Sequence, residues 1–309
     1  MPEGDTVFRT ARRLHQALAG RPLTTCDLRW GEAATLDLTG RDTLEVVSRG
    51  KHVLHRLQGG WTIHSHLRMD GSWRVLPARE ATAARVSAPT IRAVVGGDEW
   101  VCLGVRLGML DAIRTEAEPS LVGHLGPDLL GPDWDAATAL ANVRADLSRT
   151  VGEALLDQRN VAGIGTMYAA ESLFLDGIQP WTPVGALTEQ TTAALLERAC
   201  RLLRANVEHA VQSTTGSRRR GAQTWVHGRS GLPCLRCGTA VRVWPIGPPP
   251  RDRTMFYCPS CQGGLAPTDD GRRQAPLGTT SRTANQIGGP ANSPRGPGRS
   301  GGRYRGAGR

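Results

Sequence analysis

Four cysteines near the carboxyl-terminal end constrain the folding of this chain more than any other feature of its sequence. They form two Cys-x2-Cys pairs separated by 20 residues, and they are Cys234, Cys237, Cys258 and Cys261. Each pair can present two sulfurs to one ion, and this spacing is typical of a tetrahedral zinc site. Four thiolates would leave no open coordination position, so the sequence predicts one structural Zn²⁺. Chance spacing or a redox-active pair is the alternative interpretation.

The unit around these cysteines covers about residues 222–262 and is too small to bury a core of its own. Zinc binding would therefore supply folding free energy, on the order of 10 kcal/mol. The loop between the two pairs can form a hairpin, and it carries Arg242, Arg251 and Arg253. Basic side chains on such a hairpin commonly contact DNA. A zinc ribbon also occurs in protein-interaction modules, so this unit alone predicts only a binding function.

The charge of the chain favours a polyanionic partner. The formal net charge is +10, and nucleic acid is the commonest partner of such a protein. Residues 263–309 hold +6 of this charge and consist mainly of Gly, Pro, Ser, Thr and Arg. We therefore expect a disordered tail that adds salt-dependent affinity for DNA, with an inert extension as the alternative.

Membrane and secreted proteins are disfavoured by the same sequence. No apolar run approaches the roughly 18 residues that a transmembrane helix requires. The first residues are acidic, where a signal peptide would be basic and then apolar. We expect a cytoplasmic protein without a membrane partner, in which thiols stay reduced. The three remaining cysteines, Cys26, Cys102 and Cys200, are then ordinary buried thiols.

The spacing of apolar residues predicts an α+β protein with two main domains. Residues 5–19 have helical spacing, and Asp5 is the predicted N-cap. Between about residues 23 and 113, short alternating segments separated by turns predict a β-sandwich. Residues 135–210 return to helical spacing, with one long periodic segment at 187–211. The predicted strands include 43–48, 52–57, 61–67, 72–76 and 100–105.

Lys51 is the only lysine among 38 basic side chains, and the other 37 are arginines. A GC-rich genome would replace lysine by arginine wherever charge alone matters. Lysine is a compact charge whose pKa can shift, whereas arginine is a bulky fork that stays charged. The surviving lysine therefore indicates a position at which arginine cannot substitute.

The residues that follow Met1 suggest nucleophilic chemistry. Removal of Met1 would make Pro2 a secondary amine, and such a group titrates close to physiological pH. Its attack on a sugar C1′ would give an iminium ion that eases base loss and later elimination. Glu3 could act as the general acid or base. Many proteins begin with these residues, so the motif is weak evidence when taken alone.

Six segments, in order across about residues 2–262, resemble the formamidopyrimidine-DNA glycosylase/endonuclease VIII family of bifunctional base-excision repair enzymes. The six segments are Pro2–Asp5, Ser48–His52, His66–Ser72, Gly123–Asp128, Leu156–Ser172 and Gly228–Cys261. The resemblance implies a catalytic β-sandwich domain at 2–130, a helix–two-turn–helix domain at 131–221, a zinc finger at 222–262 and the tail at 263–309. It implies damaged DNA as the partner, and we expect a monomer that acts at the nucleoid.

The resemblance also implies roles for individual residues. The implied catalytic residues are Pro2 as nucleophile, Glu3 as its acid and Lys51 as the catalytic lysine, which would contact the lesion-strand phosphate. The implied DNA-binding residues are Met69, Gly163, Gly165, Thr166 and Arg253. Met69 would fill the gap left by an everted base, and its neighbours Arg68, Asp70 and Gly71 predict an exposed turn there rather than a half-buried strand position. The glycines would let the backbone and the next helix approach a phosphate. We interpret His64 and His66, which share one strand face, as structural residues rather than metal ligands.

Several positions depart from the family pattern. Thr166 stands where Asn is usual, Thr6 stands where many members have Glu, and the zinc-finger spacer is longer than is common. An Arg-Arg-Phe-Gly run is missing between residues 90 and 115. Its absence, with the Pro-Glu-Gly start, favours the endonuclease VIII branch and oxidised pyrimidines, whereas Met69 favours oxidised purines. We expect a DNA glycosylase with β,δ-lyase activity; the alternatives are a non-catalytic binder of damaged DNA and a zinc-ribbon adaptor.

Overall fold

Eight strands in the first half of the chain form two four-stranded antiparallel sheets in a computed structural model that describes residues 2–276. The strands are β1 (Thr25–Leu28), β2 (Thr43–Arg49), β3 (His52–Leu57), β4 (Trp61–His66), β5 (Ser72–Pro77), β6 (Ile91–Gly96), β7 (Trp100–Val105) and β8 (Met109–Arg114). The first sheet has the order β2-β3-β4-β8 and the second has the order β1-β6-β7-β5. A shared apolar core joins them, and this confirms the predicted β-sandwich.

The five strands named from the sequence are present, and their ends agree to within one residue. β1, β6 and β8 were not among those named. In β6, every residue except Arg92 is buried, because the segment at 78–88 covers the outer face of the second sheet. A strand that is buried on both faces lacks the polar alternation that identifies a strand in a sequence.

The first helix, α1 (Gly4–Leu18), packs its apolar face on the sandwich. The prediction of Asp5 as its N-cap is wrong. The helix begins one residue earlier, and the N-cap position is held by Glu3, whose side chain makes no capping bond to α1. Asp5 lies in the first turn, where it is buried and accepts hydrogen bonds from the Gln212 side chain at 2.8 and 3.0 Å.

The remaining helices lie outside the two sheets, and most of them form the second half of the molecule. They are α2 (Ala83–Val86), α3 (Glu118–Val122), α4 (Ala136–Arg144), α5 (Val151–Leu156), α6 (Thr166–Leu175) and α7 (Glu189–Arg204). α7 is shorter than the predicted 187–211. It starts where the Thr188 hydroxyl accepts from the N–H of Thr191, and beyond its end the Asn206 side chain bonds both backbone groups of Ser213, which turns the chain. Within residues 2–276, no helix is long and apolar enough to cross a membrane.

The cysteine-rich unit contains a hairpin of two strands, β9 (Arg242–Ile246) and β10 (Arg253–Tyr257), paired along their whole length. Ile246, Met255 and Phe256 belong to the same apolar core as the helices α4 to α7. The hairpin therefore relies on packing against the helical half as well as on its cysteines.

Residues 263–276, which we predicted as part of a disordered tail, fold back on this hairpin. Asp269 is buried and forms an ion pair with Arg242, and the Tyr257 hydroxyl donates to the same carboxylate at 2.5 Å. The Gln274 side chain bonds both backbone groups of Val243 at 2.9 and 3.0 Å. Arg242 is therefore a structural residue, and its predicted contact with DNA is wrong. The rest of the predicted tail, 277–309, lies outside the described residues.

Candidate active site and DNA interface

Glu3 reaches across 162 residues of sequence to the amino-terminal end of α6. Its carboxylate accepts hydrogen bonds from the N–H groups of Gly165 and Met167, both at 2.8 Å, and of Tyr168 at 3.3 Å. These donors are the ones that a helix leaves unpaired at its start, where the helix dipole also favours a negative charge. Glu3 thus caps a helix of the other half of the molecule.

Glycine is required at position 165 by this arrangement. A Cβ atom there would lie 2.5 Å from the Glu3 carboxyl carbon, which is closer than any real contact. Gly163 accepts a bond from the N–H of Gly4 at 2.9 Å and has a φ of 102°, a conformation that glycine adopts without strain. The two glycines allow the start of α1 to approach α6 closely.

Gly163, Gly165 and Thr166 are all buried at this helix start. The N–H groups of Gly165, Met167 and Tyr168 already donate to the Glu3 carboxylate. The close approach that the small residues allow is made here by the amino-terminal segment of the protein itself. A contact of Gly163, Gly165 and Thr166 with a DNA phosphate stays a prediction.

Burial raises the pKa of Glu3, and it outweighs the opposing effects of the Lys51 charge and of the three N–H donors. Glu3 therefore holds a proton more readily than an exposed glutamate does. Pro2, which is half-buried, precedes it directly in the chain. A carboxyl group that can give a proton thus lies beside the residue whose amine would act as the nucleophile.

Lys51 lies in the turn between β2 and β3, and Asp128 holds that turn in place. The buried carboxylate of Asp128 accepts from the N–H of Gly50 at 2.7 Å and from the N–H of Leu130 at 3.0 Å. Gly50 has a φ of 57°, which favours glycine. The position of Lys51 is therefore determined by a residue from the segment that joins the two halves.

Electrostatic effects link three of the predicted site residues. Burial, together with the positive charge of Arg253, lowers the pKa of Lys51 to about 8, although the Glu3 carboxylate opposes both effects. Arg253 is exposed at the start of β10. Glu3, Lys51 and Arg253 come from the amino terminus, the sandwich and the zinc-finger hairpin, and the fold brings them close enough to affect one another.

Met69 is 61% exposed in the turn between β4 and β5. This confirms the predicted exposed turn. The N–H of Gly71 donates to the carbonyl of Leu67 at 2.9 Å, and Arg68 adopts a φ of 50°. The turn packs against the β7–β8 connection, because a Cβ on Gly108 would lie 2.5 Å from the Arg68 side chain. A tightly closed turn thus presents a flexible apolar side chain to solvent.

Glu171, on α6, was missed by the sequence analysis. Its fully buried carboxylate accepts from the N–H groups of Trp225, Val226 and His227, all at 2.8 Å, and from the Thr214 hydroxyl. Burial raises its pKa as well. These bonds attach the segment before the zinc finger to α6. The available sequence signal was a glutamate inside an otherwise apolar helix.

The four predicted metal ligands lie together at the base of the hairpin. Their sulfur atoms are all within 4.8 Å of one another, with Cys237 and Cys258 at 3.5 Å and Cys234 and Cys261 at 4.0 Å. Two sulfurs of a tetrahedral zinc site lie about 3.8 Å apart when each Zn–S bond is about 2.3 Å. The cluster therefore fits a zinc ion, and the four cysteines can hold a metal.

Comparisons with known proteins agree with this geometry. Residues 1–106 match the formamidopyrimidine-DNA glycosylase N-terminal domain, and residues 125–218 match the formamidopyrimidine-DNA glycosylase H2TH domain. A probable endonuclease 8 2 of Streptomyces coelicolor is 53% identical over 88% of this chain and 98% of its own length. The DNA-(apurinic or apyrimidinic site) lyase Nei2 of Mycolicibacterium smegmatis is 42% identical over 85% of this chain and 99% of its own.

The fold is also that of a solved enzyme. The Lactococcus lactis formamidopyrimidine-DNA glycosylase, in a non-covalent complex with DNA containing an abasic site, superimposes with a TM-score of 0.70 at 21% identity, over 85% of this chain and 100% of that one. The chain belongs to the formamidopyrimidine-DNA glycosylase/endonuclease VIII family. Its similarity to the Streptomyces and Mycolicibacterium proteins places it in the endonuclease VIII-like branch.

Proposed function

We propose that this protein removes damaged bases from DNA and cleaves the resulting abasic site, with Pro2 as nucleophile, Glu3 as proton donor and Lys51 as a cation at the reacting sugar-phosphate. The observation that carries the proposal is the environment of Glu3. Its carboxyl group is buried and oriented by three N–H donors. It follows Pro2 directly in the chain, and the charge of Lys51 acts on it. The activities in the names of the two relatives support the same reaction.

The proposed reaction starts once Met1 is removed. The neutral amine of Pro2 attacks C1′, the C1′–O4′ bond of the sugar breaks, and Glu3 gives its proton to O4′. The Pro2 nitrogen loses its hydrogen as a proton, and its lone pair forms a double bond to C1′ as the base departs with the electrons of the glycosidic bond. The departing base takes up that proton, and an iminium ion remains. Loss of a C2′ proton then expels the 3′ phosphate, and a second elimination expels the 5′ phosphate.

Lys51, Arg253 and Met69 would hold the DNA during these steps. A lysine whose pKa is about 8 remains largely protonated at neutral pH and can bind a phosphate as a point charge. Arg253 is exposed on the hairpin and can bind the DNA backbone. Met69 is placed at an exposed turn, where an apolar side chain can enter the gap left by an everted base.

Zn²⁺ is the metal that we propose for the four-cysteine cluster formed by Cys234, Cys237, Cys258 and Cys261. Four sulfur ligands leave no position for substrate, so the ion would stabilise the hairpin that carries Arg253 and would take no part in bond breaking. We further propose that the protein acts as a monomer on DNA in the cytoplasm, at the nucleoid.

Oxidised pyrimidines are the substrates that we propose, because the two relatives reported above belong to the endonuclease VIII-like branch. The measurement is single-turnover excision from duplexes that each contain one lesion. Faster excision of oxidised pyrimidines than of oxidised purines would support this assignment. The reverse order would show that the same chemistry is directed at purines.

Borohydride trapping on a duplex with one abasic site tests the chemistry. The protein should give a covalent adduct, and Pro2→Gly should reduce it strongly, because the imine of a primary amine is cationic only when protonated and the glycine backbone no longer fixes the nitrogen in place. Mass spectrometry of the same sample must show that Met1 has been removed. Tight binding of the duplex by correctly processed protein without an adduct would identify a non-catalytic binder instead.

A further inference from the structure

Four histidines surround the start of β3, directly after Lys51, and the reaction proposed above does not use them. His52 begins β3, and its neighbour in the sheet register is His66 on β4. His64, on the same face of β4, is fully buried. The rings of His52 and His64 are stacked at 5.1 Å, and those of His52 and His66 meet edge to face at 4.9 Å. His124, which is exposed, is the fourth.

Hydrogen bonds join two of these histidines to a carboxylate. Nδ1 of His64 lies 3.0 Å from Oδ2 of Asp111 on β8, and Nε2 of His64 lies 2.8 Å from Nδ1 of His52. Asp111 is half-exposed, so this series of hydrogen bonds leads from solvent to His52, which follows Lys51 directly. We call these three residues the Asp111–His64–His52 relay.

The carboxylate determines where the protons of the relay lie. A carboxylate only accepts, so Nδ1–H of His64 donates to Asp111, and when His64 is neutral its Nε2 is an acceptor. Nδ1–H of His52 must then donate to His64, which leaves the lone pair of His52 on Nε2. No hydrogen bond within residues 2–276 uses that lone pair.

The surroundings keep His52 neutral in the free protein. Burial, together with the charges of His66, His64, His124 and Lys51, lowers the pKa of His52 to about 3. Burial, with Lys51, His64 and Arg68 contributing, lowers the pKa of His66 to about 4. The carboxylates that can stabilise a positive charge in this group are Asp111, which is hydrogen-bonded to His64, and Glu118, which interacts with His64 through its charge. A phosphate placed against Lys51 would offset the positive charge of that lysine, and protonation of His52 would then become more favourable.

We propose that the Asp111–His64–His52 relay couples DNA binding to the uptake of one proton, which binds to Nε2 of His52 beside the lesion-strand phosphate. The resulting positive charge is shared along the relay, because the Nδ1 proton of His52 can move to Nε2 of His64, next to the Asp111 carboxylate. The acceptor that His52 presents in the free protein becomes a donor to the phosphate. The coupling rests on the proposed function, since it requires DNA at Lys51.

Isothermal titration calorimetry tests the coupling with a duplex that contains a tetrahydrofuran abasic-site analogue. Titrations in two buffers with different ionisation enthalpies give the number of protons taken up per duplex. At about pH 6.5 the protein should take up about one proton more than Asp111→Asn does. In that variant the amide removes the charge that stabilises an imidazolium, and its nitrogen can donate to His64, which reverses the tautomers. Lys51 is protonated at this pH in both proteins, so the difference isolates the relay.

His52→Gln provides an independent test, because it removes the proton acceptor at a half-buried position and leaves the hydrogen bond between His64 and Asp111 in place. This variant should also take up about one proton less than the protein when it binds the duplex. Asp27→Asn is the matched control: it removes one half-exposed carboxylate, paired with Arg29, from the other sheet, and should leave proton uptake unchanged. Equal uptake by the protein, Asp111→Asn and His52→Gln would overturn the coupling alone. Failure of the protein to bind the duplex and to form the borohydride adduct would overturn the proposed function, and the coupling with it.

Discussion

Glu3 and Glu171 occupy similar environments along α6: Glu3 comes from the amino terminus and caps the start of this helix, and Glu171 is part of the helix. Both carboxylates are fully buried, both accept three backbone N–H groups, and burial raises the pKa of both. Glu3 follows Pro2 and lies in the field of Lys51, whereas Glu171 bonds Thr214 and attaches the segment that leads to the zinc finger. Burial and three N–H donors therefore do not distinguish a reacting carboxyl group from a structural one. The distinction comes from the neighbouring residues, which are Pro2 and Lys51 for Glu3.

Replacing Glu3 by glutamine should have the largest effect on chemistry. Glu3→Gln retains the shape of the side chain but removes the proton that we assign to O4′, so base excision should slow by about 10²- to 10⁴-fold. Single-turnover excision at saturating enzyme measures the change. A decrease of less than tenfold would show that Glu3, like Glu171, acts mainly as a structural cap.

Glu171→Leu should instead lower stability. It leaves three buried N–H groups unpaired, and the free energy of unfolding should fall by about 3 kcal/mol or more, measured by urea denaturation. The protein that remains folded should excise bases at saturating DNA with a rate within tenfold of the original. A loss of chemistry as large as that of Glu3→Gln, in protein shown to be folded, would contradict the division of roles.

Gly165→Ala tests the position of Glu3 without changing any charge. The added Cβ would lie 2.5 Å from the carboxyl carbon, so the carboxylate must move away from its three donors. Excision should slow by at least about tenfold, since small misplacements of reacting groups are costly. The φ of Gly165 is −124°, which alanine adopts without strain, so a slower reaction would report the displaced carboxylate and not a strained backbone.

Removal of the metal should lower stability, as Glu171→Leu does, and should leave the chemical step intact, unlike Glu3→Gln. Chelation should loosen the hairpin that carries Arg253 and weaken DNA binding by about tenfold or more, with a lower melting temperature. Borohydride trapping at saturating DNA should persist. A complete loss of trapping in protein that still binds DNA would mean that the cluster is needed for chemistry.

The pH dependence of stability should give the smallest effect. A glutamate whose pKa is raised on folding contributes stability that is present below its unfolded pKa and is lost as the pH rises through the folded pKa. Glu3 and Glu171 both contribute in this direction. Glu171→Gln should therefore flatten the decline in unfolding free energy above about pH 4.3, by an amount that denaturation at several pH values can measure. If the slope were unchanged, Glu171 would not contribute to the decline, and Glu3 would be its source.

Features that depend on neighbours in the sequence were predicted well. The cysteine spacing gave a cluster whose sulfurs lie within 4.8 Å, and the turn around Met69 is exposed as expected. The two-sheet architecture followed from the alternation of apolar residues, although β1, β6 and β8 were not named; in β6, burial on both faces removes that pattern.

Features that depend on distant partners were not predicted. Asp128, Glu171 and Asp269 each hold a segment far away in the chain, and a carboxylate in a sequence does not reveal whether it faces water or three backbone donors. The same reason explains why the hydrogen bond between Gly165 and Glu3 was not predicted. A helix start that can bind any anion was correctly recognised, but only the fold shows that the anion is Glu3.

The attachment of Glu3 to Gly165 and of Gly50 to Asp128 has a mechanical consequence. Glu3 and the Lys51 turn belong to the sandwich half, as Met69 does, but both are bonded to residues 128–168. A hinge rotation between the two halves would have to break the bonds of Glu3 to Gly165 and of Gly50 to Asp128. The two halves should therefore turn together when the protein bends DNA, with the spacing of Glu3, Lys51 and Met69 preserved.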